Sequence, residues 1–470
     1  MKSALLIFLL LGPLAMLRAA GTDTTKPNVI LIVSDDQGYP DLGCIGSKPI
    51  LTPNLDRLAT EGVRATSFYV TWPACTPSRG SILAGRFPQR NGLYEMVRND
   101  KVDQGYRYTL EEYASSPEMT LGLDVRELTI GDMLTRAGWS CGVVGKWDMG
   151  QARQFLPLQR GFEFFYGHGN NGIDYYTHER YGIPSMFRGN ERTQEDKGTY
   201  ATDVFKREAL QFIRERKDRP FFLYLAFNAP HGASSFGSDP ANPKAKEGVQ
   251  APEKYAALYR GKVKDERLAR YYGAVTCMDE AIGELMSELT KHGIEKNTLV
   301  IFLSDNGGSG NGGNAPLEGG KSSLWEGGLR VPFIARWPDK LPAGRMTYDF
   351  LTSLELLPTI LAATGVKPPE NVKLDGFDML PVLRGDVESP RKEMFWQHRG
   401  NRAARIGDWK WIEGERGALH SGLFDLRNDL GEKADLSKEK PDVVAMMKER
   451  FAGWRKEMDK AEPRGPFGKR

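Results

Sequence analysis

The apolar positions of the chain follow two patterns. Asn28–Ser34 (NVILIVS) and Thr298–Ser304 (TLVIFLS) are unbroken apolar runs rich in β-branched residues. Strands buried on both faces of a parallel sheet read this way, because neither face meets water. Phe221–Ala226 and residues 140–144 and 331–336 predict further strands. Residues 54–61, 129–137, 200–216 and 265–292 repeat apolar side chains at helical spacing, and residues 351–363 are helix-like too. Strands alternating with helices predict an α/β layered fold with a large, mostly parallel central sheet flanked by helices. Ligands of such sheets sit beyond the carboxyl ends of the strands. Past Pro390 come short strands, near 402–412 and 423–426, and a helix at Pro441–Asp459. The chain therefore divides into a main domain, 27–389, and a C-terminal α+β subdomain, 390–470, a small antiparallel sheet plus a helix. The Gly-rich stretch 307–328 follows one strand and precedes another, so it reads as an active-site loop rather than a linker.

Composition narrows the class. At 470 residues with 40% apolar and 27% charged positions, the chain is globular and too long for one compact core. Lys2, the apolar stretch 4–17 and Arg18-Ala19-Ala20 have the layout of a signal peptide over residues 1–20, which predicts export, periplasmic or secreted. Without that segment, which holds two basic residues and no acid, 62 basic side chains face 61 acidic ones. So even a balance argues against nucleic acid or a membrane surface as partner after leader cleavage. The four cysteines, at 44, 75, 141 and 277, are too few for a disulfide framework, and their spacing names no pair.

Candidate chemistry starts at the strand ends. Asp35-Asp36 follows the first run and Asp305-Asn306 the second. Four oxygen donors with no His or Cys among them suit Ca²⁺ or Mg²⁺ rather than zinc. One such pair is what any turn after a strand can hold; two matching pairs after buried strands are not. The stretch CTPSRGSILAGR, residues 75–86, predicts a helix capped by Thr76 with Pro77 at its first position. Cys75 would then lie just outside a helix N-terminus, where free N–H groups attract anions. Arg79 projects from the first turn with a fork of donors. A buried structural cysteine and a reactive thiol are the alternatives for Cys75.

The pattern Cys-x-Pro-Ser-Arg followed by Leu-x-Gly-Arg, together with NVILIVSDDQG, GVVGKWDMG, AFNAPHG, IFLSDNGG, GGKSSLWEGGLRVP and LFDLRNDLGEKADL, resembles the formylglycine-dependent sulfatases of the arylsulfatase type, in the alkaline-phosphatase-like superfamily. The resemblance runs from about Pro27 to the C-terminal strands. It implies that a maturation enzyme oxidises Cys75 to formylglycine. One hydroxyl of the aldehyde hydrate attacks sulfur and expels the alcohol; the other loses its proton, and sulfate leaves as the aldehyde re-forms. Serine, with one hydroxyl, lacks that exit. The resemblance makes Asp35, Asp36, Asp305 and Asn306 calcium ligands (magnesium being the alternative), with position 75 adding an oxygen. Arg79 would hold the formylglycine and the metal cluster, Lys146 and Lys321 the sulfate, and His231 would hold sulfate and protonate the leaving oxygen. At Asp148 the family commonly has histidine; a carboxylate there could act as the base or meet a substrate hydroxyl.

The implied substrate is a sulfated small molecule or glycan. Residues 166–181, YGHGNNGIDYYTHERY, mix aromatic and amide side chains suited to sugars, with His168, Asn171, Asp174, Tyr175 and His178 as candidates. Residues 93–126 are a candidate pocket wall, and His398 and Arg402 candidates to face the cleft. A phosphoester or phosphonate hydrolase of the same superfamily and a non-catalytic sulfated-glycan binder are the rival readings.

Overall fold

The computed structural model describes residues 26–47, 49–98, 101–102, 105–237, 246–310, 312–414 and 421–461; the signal peptide expected at 1–20 lies outside them. In chain order the main sheet contains β1 (Asn28–Ser34), β2 (Val63–Ala65), β3 (Ser140–Lys146), β4 (Phe164–His168), β5 (Met186–Arg188), β6 (Glu191–Arg192), β7 (Phe221–Ala226), β8 (Thr298–Ser304), β9 (Phe333–Arg336) and β10 (Arg345–Thr347). In space they run β10-β2-β9-β8-β1-β7-β3-β4-β5-β6. The five central strands, β8 to β4, are mutually parallel. Beyond them β9 and β5 pair antiparallel, so the sheet is mixed at its margins.

Alternation within β1 explains its continuous apolar run. Val29, Leu31 and Val33 face one helix layer, with Ile82 and Leu83 of α2 (Cys75–Ala84), Ile130 and Leu134 of α3 (Ile130–Arg136) and Ile360 of α6 (Leu356–Thr364). Ile30 and Ile32 face the other layer, with Leu55 of α1 (Pro53–Thr60), Phe205 of α4 (Ala201–Arg216) and Ile282 of α5 (Glu266–Lys291). All of these side chains are buried, each contributing roughly 1.5–3 kcal/mol. Two readings shift. Residues 351–363 are not one helix: Leu351–Thr352 pairs as a short strand with Phe68–Tyr69. The Thr352 hydroxyl then accepts from the Leu354 N–H and Glu355 reaches back to the Thr352 N–H, a capping box that postpones α6 to Leu356. The strand expected at 331–336 begins at Phe333.

Toward the C-terminus, β11 (Glu393–His398), β12 (Asn401–Ile406), β13 (Trp409–Glu413) and β14 (Gly422–Asp425) form an antiparallel sheet. Helix α7 (Pro441–Asp459) covers it with Met447, Phe451, Trp454 and Met458, spaced by three or four. This core also takes in Tyr69, Trp325 and Leu329 of the main body. Beside it Lys410, fully buried, places its Nζ 2.8 Å from Glu326 Oε1 and 2.9 Å from Glu432 Oε1. Lys410→Met leaves two buried carboxylates short of their cation and is expected to cost about 3 kcal/mol. It would read as a lowered thermal midpoint, whereas Lys448→Met, at a half-exposed ion pair with Glu413, leaves the midpoint unchanged.

Candidate active site

The register of β1 with β8 sets Ser34 opposite Ser304, so Asp35-Asp36 and Asp305-Asn306 leave the sheet side by side. Asp36 has φ 61°, a left-handed conformation that Asp and Asn adopt more readily than other non-glycine residues. Its N–H donates to Asp305 Oδ1 at 3.2 Å and its Oδ1 accepts from Asn306 Nδ2 at 2.8 Å. Lys146, the last residue of β3, donates to Asp35 Oδ2 at 2.7 Å. The chain leaving β7 reaches His231, whose Nε2 lies 3.7 Å from Asp36 Oδ2. Four strand ends thus deliver one cluster.

Helix α2 supplies the rest, with one change from expectation. Ala74, in extended conformation, is the cap residue, and Cys75 is the first helical residue instead of lying outside. Thr76 does not cap, because its hydroxyl donates to Asp148 Oδ1 at 2.9 Å. Cys75 is consequently in the first turn, fully buried, with Sγ 3.2 Å from Asp35 Oδ1, 3.7 Å from Asp36 Oδ1 and 3.4 Å from Lys321 Nζ. Burial, with Asp305 and Asp35 nearby, pushes its thiol well above the ordinary range, which disfavours the thiolate that a reactive cysteine needs. One turn on, Arg79 donates from Nε to Asp305 Oδ2 at 2.9 Å, with Nη2 2.7 Å from the same oxygen. Its Nη1 donates to the Lys146 carbonyl at 3.2 Å.

Three carboxylates and three cations therefore share a water-poor space. Burial opposes the charge on Asp36, but Lys321, whose Nζ is 2.8 Å away, and Lys146 hold its carboxyl well below the usual range. Burial and Lys321 push His231 down to about 3. Its Nδ1 donates to the Gly232 carbonyl at 2.6 Å, so the neutral ring turns an unprotonated Nε2 toward the cluster. The donor set fits a hard divalent cation. Asn306 Oδ1 is buried with no hydrogen-bond partner, and donor atoms of Asp35, Asp36, Cys75 and His231 all lie within 4.8 Å of one another. Carboxylate and amide oxygens match calcium or magnesium better than a soft metal.

Asp36, Lys321 and His231 open into a cavity of about 740 Å³, within the range of small-molecule sites. Of the five substrate candidates only Asn171 lines it. His168 is buried, with Nδ1 3.1 Å from the Asn170 carbonyl, and stacks on Phe205. Asp174 Oδ1 accepts from the N–H groups of Tyr176 and Thr177 and closes a local turn. Tyr175 stacks on Tyr200 and donates to the Asn228 and His231 carbonyls. His178 Nε2 lies 2.8 Å from the Thr199 carbonyl. These side chains are spent on closing the loop and fastening it to the body of the protein. Within 93–126, Glu95, Met96 and Arg98 reach the cavity, as does His398, while Arg402 lines a separate depression with Trp411. Asp148 is buried off the cavity. Its Oδ1 accepts from Thr76 and Asn171, its Oδ2 lies 3.6 Å from Lys146 Nζ, and burial raises its carboxyl against the pull of Lys146. It does not stand where a substrate hydroxyl would. Sequence reading passed over Arg180, which lines the cavity inside that same loop. Its charge partner Glu118 is 62 positions away, and no local spacing connects the two.

The family model described as Sulfatase matches residues 27–366, and that of N-sulphoglucosamine sulphohydrolase, C-terminal, matches 320–457. N-acetylgalactosamine-6-sulfatase of Canis lupus familiaris is 34% identical over 84% of this chain and 73% of its own length. Arylsulfatase A of Homo sapiens is 32% identical over 89% of this chain and 85% of its own. The crystal structure of Ps i-CgsB in complex with k-i-k-neocarrahexaose superposes with a TM-score of 0.78 at 32% identity, covering 91% of this chain and 92% of that one. The layered sheet is the alkaline-phosphatase-like fold shared with these sulfatases.

Proposed function

The chain belongs to the sulfatase family, hydrolases of sulfuric esters, and on that premise we propose that it removes sulfate from a sulfated carbohydrate, using formylglycine made from Cys75 and a calcium ion held by Asp35, Asp36, Asp305 and Asn306. One observation carries this reading. Cys75 is buried in the first turn of α2, within hydrogen-bonding distance of Asp35 and Lys321, where four strand ends converge. A bound calcium ion would polarise oxygen and offset negative charge there. Lys146 and Lys321 flank position 75 and would hold the sulfate oxygens as charge builds on them. Arg79 ties the helix to Asp305 and to the end of β3, fixing position 75 against the cluster. His231, on the cavity wall, would hand a proton to the departing alcohol once the negative charge of a bound sulfate draws onto Nε2 the proton that the free site lacks. Asp148 holds Thr76 and Asn171 and leans on Lys146, orienting both sides of the nucleophile.

Support for a carbohydrate comes from the relatives: an N-acetylgalactosamine-6-sulfatase and a structure holding neocarrahexaose. We place the enzyme in the periplasm or outside the cell, on the charged-then-apolar pattern of residues 1–20; a formylglycine-generating enzyme is its partner during maturation. Among the described residues no helix is long and apolar enough to cross a membrane.

The test is release of inorganic sulfate by protein co-expressed with a maturation enzyme. The panel holds defined sulfated mono- and oligosaccharides, an aryl sulfate, and the matching aryl phosphate and phosphonate. Sulfate is expected to leave at least about tenfold faster than phosphate, a transition-state preference of about 1.4 kcal/mol. Faster phosphate release would turn the reading to a phosphoester hydrolase. Binding of sulfated sugar without turnover by fully converted protein would leave only a lectin-like role.

A further inference from the structure

Resting on the sulfatase reading, we infer that Arg180 is a recognition fork for a second anionic group, a sulfate or carboxylate, on the saccharide that carries the scissile sulfate. The side chain is 9% exposed yet lines the cavity. Its Nε donates to Glu118 Oε1 at 2.9 Å, Nη1 to Ser234 Oγ at 3.1 Å and Nη2 to Asn171 Oδ1 at 3.5 Å. A guanidinium has five N–H groups, so two remain for a ligand.

The fork is held from behind. Glu118, 1% exposed, accepts from the Tyr113 hydroxyl and, at 3.4 Å, from Gln151 Nε2. This support fixes the rotamer of Arg180 before anything binds, so less order is lost on binding. The fork is also near the chemistry. Asn171, its partner, donates at 3.1 Å to Thr76, the neighbour of Cys75. A Cβ on Gly172 would stand 2.8 Å from Ser234 Oγ and 3.0 Å from His231 Nδ1, so Arg180, Ser234 and His231 share one wall. A sugar whose ester oxygen faces His231 therefore presents a neighbouring substituent to Arg180.

Charge favours an anion over a hydroxyl. Outside the Asp36–Lys321 corner the described cavity wall carries six basic side chains and three carboxylates, and Glu118 behind it makes four. Net positive charge along a concave wall attracts a second negative group, and a planar fork pairs with a carboxylate or sulfate through parallel hydrogen bonds.

The experiment compares three substrates with the matured enzyme: a hexose carrying one sulfate, the same hexose carrying two, and the monosulfated hexose joined to a uronic acid. Wild type is expected to favour one of the doubly anionic sugars in kcat/KM, and which one identifies the group. In Arg180→Gln that preference falls roughly 10- to 100-fold, mainly through KM, the worth of a hydrogen bond to a charged group. Arg180→Lys, which keeps the charge but loses the fork, falls between and serves if the glutamine variant does not fold. Equal losses on all three substrates, or a wild type that does not favour the doubly anionic sugars, overturn the inference. No sulfate release from any of them or from aryl sulfate means instead that the sulfatase reading has failed, and the inference falls with it.

Discussion

Cys75→Ser, expressed without a maturation enzyme, is expected to lower steady-state sulfate release about a thousandfold or more relative to matured wild type. The substitution is gentle on the fold. Position 75 is fully buried but ringed by polar partners, Asp35, Asp36 and Lys321, that accept a hydroxyl as readily as a thiol. The first turn of α2 keeps its geometry, since Ala74 caps the helix through its backbone and no side chain at 75 takes part. What serine lacks is a second oxygen on the same carbon. It can take sulfate once and then has no hydroxyl whose deprotonation expels it. The expected record is at most one equivalent of alcohol released per enzyme, then a stall, with sulfate retained on the peptide containing residue 75. Mass mapping of that peptide checks both proteins: an aldehyde or its hydrate in matured wild type, an unmodified or sulfated serine in the variant. Continuous turnover by the serine enzyme at the wild-type rate would remove formylglycine from the reading. So would an unconverted thiol in fully active wild type.

The difference between what the chain pattern foretold and what it did not lies in the range of the interactions. Both central strands, and the emergence of Asp35-Asp36 and Asp305-Asn306 from their ends, follow from continuous apolar runs that need no knowledge of distant partners. Strand β4 at the end of the parallel set, and β5 and β6 at the margin beyond it, were not foreseen; two to five residues long, they carry too little periodicity to separate from loop. The substrate loop failed for the opposite reason. Tyr175, Asp174 and His178 look like sugar contacts by residue type, but their partners Asn228, Gln250 and Thr199 lie 21 to 76 positions on and turn them inward. Thr76 misled in the same way: it has the right chemistry for a cap, and a carboxylate 72 positions later takes its hydroxyl. Local propensity yields where a buried charge needs a hydrogen bond.

Asp36→Asn isolates the cation. The amide is nearly isosteric, tolerates the φ of 61°, and still offers an oxygen to Asn306 Nδ2, so the turn after β1 survives. What it removes is one of three carboxylate charges facing the proposed calcium site, and affinity at such sites follows the count of charged ligands. Two readouts follow. In wild type, calcium raises the thermal midpoint by mass action, adding about 2.7 kcal/mol of stability at a hundredfold excess over Kd. In the variant the same rise needs roughly 10- to 100-fold more calcium, the scale on which weakened coordination lowers metal affinity. Sulfate release falls by a similar factor at low calcium and climbs as calcium is raised, because the lesion is in loading the site and not in the scaffold. Lys321 loses its ion pair at 2.8 Å in the same variant, which adds a KM increase that calcium does not repair. Calcium-independent stability together with undiminished turnover after chelation would show that these oxygens hold no functional ion. The four donors would then be a buried hydrogen-bond network that keeps Arg79 and the first turn of α2 in place.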